Sequence, residues 1–143
     1  MSPELVNHRL RRFLFVLAGF IFIGSIVELA LEGHTQSPVQ WIPFVLSGLG
    51  LVGVTAVLIT PQRKTLISLR AVIGLVAFGS FFGIFEHIEH NIAFALEIRP
   101  NAVLSDVFFE ALSGANPLLA PGILALGALL ALAATYYHPS LNS

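Results

Sequence analysis

The chain contains no cysteine. Disulfides, thiolate metal sites, iron–sulfur clusters and cysteine-linked haem are therefore excluded. Charge is scarce as well. Only 10% of the 143 residues are Asp, Glu, Lys or Arg, against about 25% in a soluble domain. The net charge is −1, and no basic cluster is large enough to suggest nucleic acid. No glycine-rich phosphate loop is present. Ser25 lies one turn below Glu28, but no histidine accompanies it as a base, so no nucleophile constellation appears. No charged residue marks a path through the middle of the apolar runs, which argues against a conducting channel.

What is there is apolar: 56% hydrophobic residues and a mean hydropathy of +0.87. The expected class is all-α, an integral membrane four-helix bundle forming a single domain over 1–143. Four runs approach the ~20 apolar residues that a span requires, at about 10–32, 39–60, 66–94 and 117–137. The first follows Arg9, Arg11 and Arg12, as a signal peptide would. Its apolar stretch exceeds the ~7–15 residues of such a segment and ends in acids, so it reads as a retained helix. Pro38 and Pro43 open the second, where a missing N–H does little harm, and Pro61 ends it. His138-Pro139 stops the fourth. Between the third and fourth, 104–113 reads as a short amphipathic helix at the interface, with Asp106 and Glu110 on one face.

Six of the seven basic residues flank one side of these spans; only Arg99 lies on the other. The positive-inside rule then places both termini in the cytoplasm, with a bacterial inner membrane as the expected location. Trp41, Tyr136 and Tyr137 read as interface anchors. Ser47, Gly50, Gly53, Gly79 and Gly83 read as packing positions that let helices approach closely. Asn91 and Asn101 read as caps or turn residues.

The chain reads as a duplicated hairpin. A shift of 58 positions superposes Arg12 on Arg70, Phe20 on Phe78, Glu28 on Glu86 and Glu32 on His90. A shift of 78 superposes Pro43 on Pro121 and Pro61 on Pro139. Two tandem hairpin repeats would place Glu28 and Glu86 at one depth.

Glu86-His87-Ile88-Glu89-His90 is the densest group of ionisable side chains. At ~100° per residue, Glu86, Glu89 and His90 share one helix face, with His87 on its flank. Arg12 to Glu28 and Arg70 to Glu86 both span sixteen residues, or ~24 Å of helix, so both glutamates lie near the outer edge of a core about 30 Å thick. If the first and third helices meet, Glu28, Glu32, Glu86, Glu89 and His90 form a divalent-metal site for iron, manganese or zinc, with His87 and His34 as further ligands. Asp106 and Glu110 would close it as a lid or support its ligands. The Glu-x-x-His signature of di-iron bundles is absent. Haem is not expected, because no second axial histidine faces His87 or His90 from an opposite helix. Two other readings use the same residues. One is a non-catalytic scaffold or accessory subunit, docking a protein partner or a second copy of itself. The other is a proton-coupled carrier.

Overall fold

A computed structural model describes residues 2–142. It is 81% helix, and no strand occurs among the described residues. The elements are α1 (Pro3–Leu31), a 3-10 turn (Val39–Trp41), α2 (Ile42–Ile59), α3 (Arg63–Ile98), α4 (Leu104–Ala111), α5 (Leu119–Ala134) and α6 (Pro139–Asn142). Three helices are long and apolar enough to cross a membrane: α1, α2 with its lead-in turn, and α3. The fourth expected span, α5, is apolar but has only 16 residues, or ~24 Å.

Two helices outrun the reading from hydropathy. The first begins at Pro3 rather than near Leu10, because Pro3 suits a first helical turn and the Ser2 hydroxyl accepts the Leu5 N–H at 3.4 Å. Its first two turns are polar, so hydropathy does not reveal them. The third helix has 36 residues and a length of ~54 Å. Gln62 and Thr65 form a capping box at its start, and Arg99-Pro100 stops it. It therefore extends well past the depth of its neighbours, and α4 folds back on the extension.

Helix α1 packs against α2 and α5, and α3 packs against the same two. The backbones of α1 and α3 do not approach one another among the described residues; the two helices stand at opposite corners. The centre is set by Phe22, which is fully buried. Its ring lies over two glycines of different helices. A Cβ at Gly50 would come within 2.7 Å of the ring, and one at Gly127 within 3.3 Å. Leu46 fits against Gly79 and Leu69 against Gly53 in the same way. The glycines are thus sockets for side chains, in which dispersion contacts replace the missing methyls.

Buried positions recur along the chain. Phe15, Ala18 and Phe22 of α1 have counterparts 58 positions on, in Ile73, Val76 and Ser80 of α3. Ser47, Gly50, Val54 and Val57 of α2 have theirs 77 positions on, in Leu124, Gly127, Ala131 and Ala134 of α5. That second offset is one short of the spacing of the proline pairs.

The end that carries the chain termini is fastened by two arginines. The last carbonyls of a helix lack intrahelical partners. At the end of α5, Arg70 of α3 donates to Thr135 through Nε to the hydroxyl (2.9 Å) and through Nη2 to the carbonyl (3.1 Å). Arg11 of α1 donates to the Tyr137 carbonyl at 2.8 Å. Two cations from opposite corners also complement the α5 dipole.

Candidate functional site

The Glu86–His90 stretch lies far along α3, at the end opposite the termini. Its two imidazoles are held by backbone carbonyls. His87 Nδ1–H donates to Pro117 at 2.8 Å, and His90 Nδ1–H donates to Glu86 one turn back at 2.7 Å. Glu89 is exposed, with a carboxylate oxygen 3.4 Å from His90 Nδ1. An exposed pair of that kind contributes little. Glu86 is half-buried. His34, in the connection from α1 to α2, stands close enough to His87 for their charges to oppose. Partial burial first, and then His87, hold the His34 pKa below its usual value.

Glu28 and Glu32 do not face this stretch. They are exposed on an outward stripe of α1 with Phe20, Ile23, Val27 and Leu31, along a shallow furrow of about 380 Å³. The stripe follows the i, i+3, i+4, i+7 rule, and the buried face of α1 (Phe15, Ala18, Phe22, Ser25) lies on the other side. The expected ligand set of Glu28, Glu32, Glu86, Glu89 and His90 is therefore not brought together. Among the described residues, no group of three or more His, Cys, Asp or Glu side chains is placed to hold a metal ion. The cause is twofold: α1 and α3 are not neighbours, and α1 turns its acids away from the core.

Asp106 and Glu110 have local partners. The Asp106 carboxylate accepts the Val103 N–H at 3.3 Å and so caps its own helix. Glu110 pairs with Arg99, tying α4 to the end of α3.

The polar centre of this end is Asn91, which reading the sequence as a cap or turn residue missed. It is 3% exposed and lies inside α3. Its amide donates to the Ala111 carbonyl (2.8 Å) and the Asn116 carbonyl (2.9 Å). Its oxygen accepts the Asn116 backbone N–H (2.9 Å) and side-chain amide (3.1 Å). Gly114 makes room for it, since a Cβ there would come within 2.5 Å of the Asn91 carboxamide. With Val107 and Ala111 buried beside it, Asn91 locks α4 and the following loop onto α3. One signal was legible: Asn91 falls one turn beyond Ile88 and two turns beyond Ile84, on the oily back of the Glu/His face.

Two further hydroxyls, Ser25 and Ser47, are buried without a hydrogen-bond partner among the described residues. Ser80, by contrast, donates to the Val76 carbonyl at 2.8 Å. Trp41 lies tilted against Phe44 with ring centroids 5.4 Å apart, and Tyr136 meets Tyr137 edge-on at 4.6 Å. The chain matches no protein-family model, no curated protein and no solved structure.

Proposed function

We propose that the chain is an integral membrane four-helix bundle acting as a non-catalytic accessory subunit, which docks the spanning helix of a partner along the outward stripe of α1. One observation carries this reading: Glu28 stands exposed among Phe20, Ile23, Val27 and Leu31. In a bilayer, with the basic residues at the inner headgroups, Glu28 lies near the outer edge of the hydrocarbon, facing lipid. A carboxylate there is costly unless it is paired. A partner helix with a lysine, arginine or other donor at that depth would pair it, while its apolar face covers the rest of the stripe. Gly24 gives close access, because nothing lies within 4 Å of the position its Cβ would take.

Insertion is supported by the three long apolar helices, and the cytoplasmic termini by the asymmetry of Lys and Arg. The recurrence of buried positions in α1 with α3, and in α2 with α5, supports two hairpin repeats about one axis. A divalent-metal site ranks below the docking reading, since its ligands are divided between an outward stripe of α1 and α3 at the opposite corner. A proton-coupled carrier also ranks below it, since Glu28 and Glu32 lie exposed on the outward stripe of α1 rather than between helices.

The natural absence of cysteine makes the test clean. A single cysteine at Val27, on the stripe, should cross-link in native membranes to a second polypeptide, whereas one at Val52, exposed on α2, should not. Glu28→Leu should release that polypeptide during gentle detergent extraction without changing helix content. A Val27 cross-link only between copies of the chain would replace the partner by a homodimer. No cross-link at Val27 would end the docking reading. Extraction of the wild-type chain by alkaline carbonate would end the membrane reading.

A further inference from the structure

At the other end of the molecule, α3, the turn after α5 and α6 surround an open pocket of about 390 Å³. Arg63 and Arg70 lie on one stripe of α3 with Ile67 between them, their Cα positions ~10 Å apart along the axis, and both line the pocket. Tyr136, Tyr137 and Leu141 form the facing wall, and among the described residues no carboxylate lines the pocket. Arg70 uses its Nε and Nη2 on Thr135, which fixes its guanidinium at the pocket edge with further N–H groups to offer. Among the described residues, Arg63 has no hydrogen-bond or ion-pair partner.

Tyr137 adds an independent observation. It has φ of 47°, the left-handed region that a residue with a bulky side chain rarely enters. Such a conformation persists where the surroundings enforce it, and it is found at binding sites. Here Arg11 donates a hydrogen bond to the Tyr137 carbonyl at 2.8 Å, which holds this turn against α1. The Tyr137 ring lines the pocket, edge-on to Tyr136.

We infer that this pocket binds the phosphate headgroup of an anionic phospholipid of the inner leaflet. The inference rests on the membrane reading above, not on the docking stripe. Two planar cations match a phosphate diester, the tyrosines add hydroxyl donors at headgroup depth, and Ile67 and Leu141 offer an apolar path to an acyl chain. A soluble phosphate would use the cations but not that apolar wall.

The test uses the full chain, purified from membranes in mild detergent, stripped of lipid and returned to mixed micelles. Dioleoyl-phosphatidylglycerol, dioleoyl-phosphatidylcholine and inorganic phosphate are compared by native mass spectrometry and by the thermal midpoint of the helical circular-dichroism signal. Phosphatidylglycerol should be retained and should raise the midpoint; phosphatidylcholine should do neither. Arg63→Ala should weaken phosphatidylglycerol binding about fivefold, the loss expected for one basic side chain at an anionic surface. Its midpoint without lipid should stay at the wild-type value. Arg12→Ala, which removes a cation of the same end outside the pocket, should retain wild-type binding. Equal retention of both lipids, unchanged binding in Arg63→Ala, or an equal loss in Arg12→Ala would overturn the site. Protection by inorganic phosphate alone would overturn the lipid as its source. Failure of the membrane reading would show earlier and separately, as a chain that never enters the membrane fraction.

Discussion

Asn91 and Asn116 meet at three points: the Asn91 amide on the Asn116 carbonyl, and the Asn91 oxygen on both N–H groups of Asn116. Every donor and acceptor of a buried side chain is thereby matched, counting its bond to Ala111. A network satisfied to this degree fixes one arrangement of α4 and its loop on α3. Asn91→Ala should strand the Asn116 N–H and the Ala111 carbonyl, destabilising the fold by about 1–3 kcal/mol. Unfolding titrations in detergent measure the loss. Chymotrypsin should also cut faster at Phe108 and Phe109; unaltered cleavage would mean that α4 is held by other contacts.

Gly114 is coupled to that latch. A methyl at Gly114 meets the Asn91 carboxamide at 2.5 Å, so Gly114→Ala should loosen the same segment. In the double variant with Asn91→Ala the obstruction is gone. The combined loss should then fall well below the sum of the two, which a double-mutant cycle reads directly.

Phe22 and Gly50 form the second coupled pair. Phe22→Ala should cost about 3–5 kcal/mol, because neither Gly50 nor Gly127 has a side chain to fill the space. Gly50→Ala should cost about 1–3 kcal/mol by overpacking. Gly24→Ala has open space around it and should be neutral or slightly stabilising. The ordering of the three is read from thermal midpoints in one detergent.

The stability of the fold should decline in mild acid. Burial and the charge of His87 lower the His34 pKa, and burial with Arg11 and His8 lowers that of His138. The native state then binds fewer protons than the unfolded chain. Stability is full above the ordinary histidine value of 6.5, is lost as pH falls from there through the lowered native values, and levels off below them. His34→Gln should flatten part of this slope. An unchanged slope in that variant would assign the acid sensitivity elsewhere.

Elemental analysis of protein purified without a histidine tag or chelator should find no stoichiometric iron, manganese or zinc. Glu28 and Glu32 are on a different face of the molecule from Glu86 and His90, so no shared ligand set is available to them. One equivalent of metal lost in Glu28→Gln would contradict that placement.

The sequence by itself determined where the apolar helices run, that α4 exists, and that six basic residues cluster at one end. Each follows from local composition: a long apolar run, a proline, a short amphipathic stretch between two breaks. The socket glycines were also legible in part, because small residues at helical spacing have few other uses in apolar helices. Which helices are neighbours was decided only by the tertiary structure. Helices that are apolar nearly all round carry little contrast between a face turned to the core and one turned outward, so periodicity could not orient α1. The acids of α1 and α3 fall at the same spacing from an arginine in the sequence, yet they lie on helices at opposite corners. Asn91 looked like an isolated polar residue because its partner is 25 positions away, in a loop whose path depends on how α4 folds back.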